Sequence, residues 1–279
     1  MIDHAAIEMK NGAELASERV AGHDDNMSSS HFHDFYEIYY LESGERTYII
    51  NDREYKVNPG SVVLLPPYTM HYSFGAPGSS FCRLLVYFKK EALEENIYSH
   101  LLLTPGVFSF KSARQSSTFQ RILDLVLQES SDNLMYHEVS ARSALSLALV
   151  MVLRSGNRNE VKTRDDKINL IMRYLADHYM DEVTLDDLCQ RFYISKFFLC
   201  RQFKKYTKMT VLDYLSSIRI LNAQRLFMES DKNISAIASA VGFKSLGNFE
   251  RSYKKITGLT PKNSLKIYRS RKKGHTVKE

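Results

Sequence analysis

The chain has little of what marks a secreted, disulfide-built or membrane protein. Of its 279 residues only three are cysteine. Cys82, Cys189 and Cys200 are odd in number and lack metal-ligand spacing, so they read as reduced thiols of a cytoplasmic protein. No apolar run approaches the ~18–20 residues that a spanning helix needs. The longest candidate, residues 144–153, is far too short, and no membrane partner is expected. The start of the chain carries Asp3 and Glu8 and no apolar stretch, which argues against a secretory signal. Acidic residues are scarce in one half only. Residues 166–279 hold 11 Asp and Glu against 22 Lys and Arg, a net +11, whereas residues 1–165 hold 21 against 16, a net −5. With 44% hydrophobic residues, disorder as the dominant state is excluded, and the length allows two domains. Such an asymmetry suggests that one module meets a polyanion and the other does something else.

Residues 31–88 read as short strands. His31 to Leu41 is rich in aromatic and β-branched residues, and Asn51-Asp52 marks a hairpin turn. Asn58-Pro59-Gly60 and Pro66-Pro67 are further turns, and residues 81–88 make another strand. Close spacing of short strands predicts an antiparallel sandwich or barrel. Beyond residue 90 the period becomes helical, with stripes at Phe119, Ile122, Leu123, Val126 and Leu127 and at Leu145, Leu149, Val152 and Leu153. These stripes suit packing on the sheet or the seam of a homodimer. Residues 156–166 are polar and predict a linker. The domains are therefore expected at 1–155 and 167–279, the second wholly helical.

The basic half repeats itself at an offset of fifty positions. Ser195 aligns with Ser245, Leu199 with Phe249, Arg201 with Arg251, Phe203 with Tyr253, Lys204-Lys205 with Lys254-Lys255, Thr207 with Thr257 and Thr210 with Thr260. Each copy reads as a short helix, a tight turn and a second helix capped by its serine. Thr184 and Asp187 form a capping-box pattern before the first. Leu199/Phe203 and Phe249/Tyr253 are i, i+4 pairs for a core, which turns Arg201 and Arg251 away from it. Two helix-turn-helix units joined by a helix over about 211–228 follow, a fold whose second helices enter the major groove of double-stranded DNA.

The stretches Ile234-Ser-Ala-Ile-Ala-Ser-Ala-Val-Gly-Phe243 and Phe249-Glu-Arg-Ser-Tyr-Lys-Lys-Ile-Thr-Gly-Leu-Thr-Pro261 resemble the AraC/XylS family of bacterial transcription regulators, over about residues 167–269. Ser264-Leu265 stands where that family usually has Tyr-Arg. The resemblance implies base-facing positions at Phe197, Cys200 and Arg201 and at Leu246, Gly247 and Arg251. A guanidinium can pair with guanine O6 and N7, and Phe197 and Leu246 suit thymine methyls. Lys196, Lys204, Lys244 and Lys254 are phosphate candidates. The family also implies contact with RNA polymerase, and activation rather than repression.

In the acidic half, His31-x-His33-x3-Glu37-x6-Gly44 and Gly60-x5-Pro66-x4-His71 resemble the two cupin motifs, with Asp25, Tyr68 and Gly75 departing from them. The AraC-type sensor domain is a cupin-like barrel, so an α+β chain is expected. Its front half would be a cupin-like antiparallel barrel with packed helices, and its back half the all-α pair of units. His31, His33, Glu37 and Tyr39 share strand parity, and His71 could join them inside the barrel. We read His31, His33, Glu37, Tyr39 and His71 as lining a pocket for a small-molecule effector such as a sugar, with no catalysis and no resident cofactor. A divalent metal on His31, His33, Glu37 and His71, and with it a cupin enzyme carrying a DNA-binding tail, is the rival reading. A footprint of the chain on its target should show two protected segments one helical turn apart. A single protected segment would contradict paired units.

Overall fold

The computed structural model describes residues 3–23, 26, 31–51, 53–94, 97, 106–132, 134–155 and 166–275. Two compact units divide the chain, Met1–Thr163 and Arg164–Glu279. The polar segment expected as a linker lies, but for residue 166, outside the described residues.

Among the described residues of the first unit a short helix α1 (His4–Lys10) precedes eight strands: β1 (Leu15–His23), β2 (Tyr36–Ser43), β3 (Arg46–Ile50), β4 (Arg53–Val57), β5 (Val62–Leu65), β6 (His71–Phe74), β7 (Ser80–Phe88) and β8 (Gly106–Phe108). They form a five-stranded sheet, β1-β7-β2-β5-β8, and a three-stranded sheet, β4-β3-β6, with every pairing antiparallel. Two helices follow, α2 (Ala113–Ser131) and α3 (His137–Arg154). The α+β architecture expected from the sequence is present.

Strand parity divides this unit into two cores. Tyr36, Ile38 and Tyr40 of β2 and Leu84, Val86 and Phe88 of β7 face α2 and α3, against Phe119, Leu123, Val126, Leu145, Leu149 and Val152. Tyr39 and Leu41 of β2 and Phe81, Leu85 and Tyr87 of β7 face inward, against Tyr48 and Ile50 of β3, Val57 of β4 and Met9 of α1. Because both faces of β2 and β7 are covered, these strands read as unbroken apolar runs rather than as alternation. The apolar stripes of α2 and α3 are thus used in covering the sheet. Strand β1, the short β8 and α1 have no counterpart in the sequence reading.

The second unit is helical: α4 (Asp166–Asp177), α5 (Leu185–Phe192), α6 (Lys196–Thr207), α7 (Val211–Glu229), α8 (Ile234–Ala240), α9 (Leu246–Thr257) and α10 (Pro261–His275). Helix α7 serves two cores. Its Tyr214 meets Phe203 of α6, with ring centroids 5.3 Å apart. Its Ile220, Ala223 and Phe227 pack with Ile237, Ala238, Val241, Phe249 and Tyr253 of the second copy. The last helix runs through the Ser264-Leu265 departure, with Ser264 buried.

The repeated residues repeat their bonds. Ser195 and Ser245 cap α6 and α9 by accepting from the amides of Phe198 (3.2 Å) and Asn248 (3.3 Å). Thr207 and Thr257 each donate to a carbonyl four residues back, at 2.8 Å, and accept from an amide two residues on, at 3.1 Å. Lys208 and Gly258 both end their helices in the left-handed conformation. The offset is fifty only from the serines onward. The N-caps Thr184 and Asn233, the buried Leu188 and Ile237, and the left-handed Tyr193 and Gly242 are each forty-nine apart. The second turn is therefore one residue longer than the first.

Gly242 at that turn has φ +88°, and a Cβ there would lie 2.7 Å from the carbonyl oxygens of Tyr179 and Met180. Arg219 of α7 donates to the carbonyls of Tyr179 (2.7 Å) and Asp181 (2.8 Å), while its guanidinium lies 5.6 Å from the Phe243 ring centre. The carbonyls left over after α4 are thereby satisfied, and the second turn is docked on them. Gly242→Ala should lower stability by about 2–4 kcal/mol, combining left-handed strain with the clash. Urea unfolding measures it, and a loss below about 1 kcal/mol would show that this approach is not tight.

Candidate functional site

Two sets of side chains carry chemistry, one in each unit. On α6 and α9 the caps fix the helix starts, and the i, i+4 pairs fix the rotation. Leu199 and Phe203 of α6 and Phe249 and Tyr253 of α9 are fully buried. Phe197, Cys200, Arg201 and Lys204 on the other face of α6 are exposed, as are Leu246, Gly247, Arg251 and Lys254 on α9. The exposure of Phe197 is unusual for an aromatic side chain, at 73%. The Arg201 guanidinium lies 5.4 Å from the Phe197 ring centre. On α9 Arg251 donates to the Asn248 carboxamide, and beyond the Cα of Gly247 the space is open. Lys196 pairs with Asp186 at 3.0 Å and Lys244 pairs with Glu182, all exposed. Surface pairs of this kind are worth ~0–1 kcal/mol, so a phosphate can displace the carboxylate at small cost.

The second set lies inside the sandwich. The sequence reading takes residues 31–41 as one strand, but β2 begins at Tyr36. Extended chain would hold residues four apart at ~13 Å. Instead the backbone bends between His33 and Glu37, so that Nε2 of His33 reaches Oε2 of Glu37 at 3.0 Å. His71 at the start of β6 places its Nε2 3.4 Å from the same oxygen. His33, Glu37 and His71 are all buried. His31 is not with them: it is exposed, outside the strand. Its backbone forms an isolated bridge with His71, and its ring centre lies 4.4 Å from that of His71. Tyr39 is inside as expected, edge-on to Tyr48 with centroids 4.8 Å apart. Burial pushes its hydroxyl up to about 12, so it stays neutral at physiological pH. Burial would raise the Glu37 carboxyl, but the bonds to His33 and His71 outweigh it and hold the group well below the usual carboxylate range.

The sequence reading misses the buried charges beside this cluster. Arg83 of β7 donates to Asp3 at 2.9 Å, and Tyr87 donates to the other Asp3 oxygen at 3.1 Å. Arg46 of β3 lies over the Phe81 ring at 4.3 Å and donates to Ser73 at 3.4 Å. The signal for Arg83 was present, because Phe81, Arg83, Leu85 and Tyr87 share parity on one strand. Asp3 gave none, since only folding brings it eighty positions along to Arg83. Asp3→Ala should cost about 3–5 kcal/mol, because it leaves the Arg83 charge buried without its carboxylate. Chemical denaturation would contradict this if the loss stayed under about 1 kcal/mol.

Comparison with known proteins bears on both sets. Residues 14–151 match the family described as the AraC-like ligand binding domain, and residues 188–266 match a helix-turn-helix domain family. The chain is similar to the HTH-type transcriptional activator RhaS of an Enterobacter strain, at 25% identity over 239 residues, covering 83% of this chain and 85% of that protein. The RhaS of Salmonella arizonae is 25% identical over 240 residues, covering 84% and 86%. Among solved structures, ToxT of Vibrio cholerae aligns over 92% of this chain and all of its own, at 14% identity and a TM-score of 0.49.

Proposed function

Since the chain belongs to the AraC family of transcription regulators, we propose that α6 and α9 read and anchor DNA while the barrel binds a small-molecule effector. The observation that carries this is the repeated pair of serine-capped helices, each with its aromatic or aliphatic pair buried and its arginine exposed. In this reading Arg201, steadied by the Phe197 ring, pairs with a guanine edge, and Phe197 and Cys200 contact neighbouring bases. Leu246 and Gly247 offer little directed hydrogen bonding, so α9 serves mainly to anchor, with Arg251 as its polar contact. Lys196, Lys204, Lys244 and Lys254 take phosphates, which set register and affinity rather than sequence.

The effector side of the proposal rests on His33, Glu37, Tyr39 and His71, polar groups buried inside the sandwich, with His31 beside them at the surface. A sugar or another flat polar molecule suits such groups. The effector acts by population shift, stabilising whichever arrangement of the chain it binds better. The relatives are transcription regulators, and we read this chain as non-catalytic. They are named activators, which supports activation here; contact with RNA polymerase is what the family resemblance implies. A homodimer would use what α2 and α3 leave uncovered, since their buried stripes lie on the sheet. Val139 and Leu147 on α3 are 62% and 51% exposed. Among the described residues no helix is long and apolar enough to cross a membrane. Free thiols at Cys82, Cys189 and Cys200 accord with action in the cytoplasm.

Arg201→Ala should weaken binding to the preferred duplex by about 1–3 kcal/mol and relax base choice at one position. Fluorescence anisotropy on a panel of single-base variants reads both. Equal weakening on every duplex would make Arg201 a phosphate contact.

A further inference from the structure

Two arginines of the first unit hold carboxylates in different ways. Arg19 presents Nε and Nη2, which share one edge of the guanidinium, to the two oxygens of Glu42 at 2.9 Å each. That two-bond geometry is the strong form of an arginine–carboxylate contact. Arg83 meets Asp3 through Nη2 alone, at 2.9 Å. Its Nε is buried and meets no hydrogen-bond partner among the described residues. The second Asp3 oxygen accepts from the Tyr87 hydroxyl at 3.1 Å instead. A buried donor without an acceptor is costly, so this edge of Arg83 offers more than Asp3 takes.

Asp3 itself is loosely suited to its place. It stands at the N-cap of α1, yet its side chain bonds none of the helix amides. Glu18 of β1 accepts from the Ala5 amide at 3.1 Å in its stead. Burial raises the Asp3 carboxyl above its ordinary value, and the Arg83 charge and the Tyr87 bond do not cancel this, while Glu37 and Glu18 add to it. The ionised group is therefore less at ease here than in water. Arg83 is fixed by contrast. It lies on β7 with its side chain 3% exposed, its guanidinium 5.3 Å from the Phe81 ring centre and 5.6 Å from that of Tyr39. Burial pushes the Tyr87 hydroxyl well above its ordinary range, so it remains a donor. Of the four charges in this core, Arg46, Arg83 and Glu37 lie on strands and Asp3 lies outside them. Without Asp3, two cations would face one anion, and the core would call for another anion.

We propose that Nε and Nη2 of Arg83, with the Tyr87 hydroxyl, form a binding site for a carboxylate from outside the chain, a site that Asp3 fills in its absence. A carboxylate free of the α1 backbone can take both nitrogens of the edge, as Glu42 does on Arg19, and accept from Tyr87 as well. The planar fork of the guanidinium matches a planar carboxylate. Asp3 then returns to water, where its charge is better solvated. The site rests on the reading that the barrel takes a small-molecule effector, and it narrows that effector to an organic acid. The rings that surround the charged head suit an acid with a flat body: Phe81 and Tyr39 beside the guanidinium, and Phe35 edge-on to Tyr87 with centroids 5.1 Å apart. The DNA contacts take no part in it.

Asp3→Ala keeps the Cβ and deletes the carboxylate, so formate is the missing piece. The test is thermal unfolding of the full chain in sodium formate and in sodium chloride at equal ionic strength. Formate should raise the melting temperature of Asp3→Ala by roughly 3 °C or more above chloride, and that of the wild type, whose own carboxylate competes, by clearly less. The double variant Asp3→Ala, Arg83→Met should gain nothing. The proposal is overturned if formate and chloride act alike on Asp3→Ala, an adventitious ion only, or if the double variant responds as the single one does. The wild-type chain decides the matter if Asp3→Ala fails to fold. Its Arg83 Nε–H signal in nitrogen-15 spectra should shift saturably with formate and not with chloride, and a signal that formate leaves in place overturns the site. A neutral sugar that stabilises the wild type where formate does nothing would overturn this site and leave the effector reading standing. Formate rescue with a duplex affinity unchanged from that in chloride would keep the site and remove the effector reading.

Discussion

The docking of the Gly242 turn onto the carbonyls that follow α4 is the constraint on which the helical unit depends. A helix-turn-helix pair reads DNA only if its two recognition helices hold a fixed separation. Helix α7 supplies the strut, but a strut alone leaves each copy free to swivel. Arg219 removes that freedom by bonding the Tyr179 and Asp181 carbonyls while lying against Phe243. The absence of a Cβ at Gly242 allows the backbones to meet. Lys255 of α9 adds a bond to Asp213 at the start of α7, at 2.7 Å. The two copies therefore behave as one body, and the exposed faces of α6 and α9 inherit its rigidity.

The barrel is governed by a different constraint, the cost of burying charge. Arg46, Arg83, Glu37 and Asp3 lie in or beside one apolar core, where burial strips them of most of their hydration. The Arg83–Asp3 pair fastens the start of the chain to β7, so the sheet and α1 close together. Glu37 is answered by two imidazoles, whose outer nitrogens are committed to carbonyls, and by the Tyr48 hydroxyl, which donates to its other oxygen at 3.4 Å. An assembly of that kind is expensive for a structural core and suited to a site that receives something. The proposed effector site lies where β2, β6 and the segment before β2 meet.

What the sequence discloses follows from how local the determining interaction is. The caps and i, i+4 pairs of α6 and α9 lie within a few residues, so the repeat was legible at Ser195 and Ser245, and with it the outward turn of Arg201 and Arg251. The extra residue in the second turn was not, because forty-nine becomes fifty only where Gly242 docks on distant carbonyls. In the barrel, parity placed Tyr39 and Glu37 inside. It misplaced His31, since parity presumes a continuous strand and the chain bends before Tyr36. Asp3 could not be found, as its partner Arg83 is distant in sequence and no local pattern links them. The stripes of α2 and α3 looked the same whether meant for a sheet or for a second chain, and only the packed structure assigns them to the sheet.

The central claim is that a rigid pair of basic helices grips DNA through phosphates and reads it through α6. The most direct measurement is the affinity of the full chain for its preferred duplex and for a scrambled one, across a range of salt. Each phosphate contact contributes about −0.9 to the slope of log K against log salt. The account predicts a slope of about −4 or steeper on both duplexes, with the preferred one held at least ~1,000-fold more tightly. Affinity that ignores salt, or that is equal on the two duplexes, would contradict it.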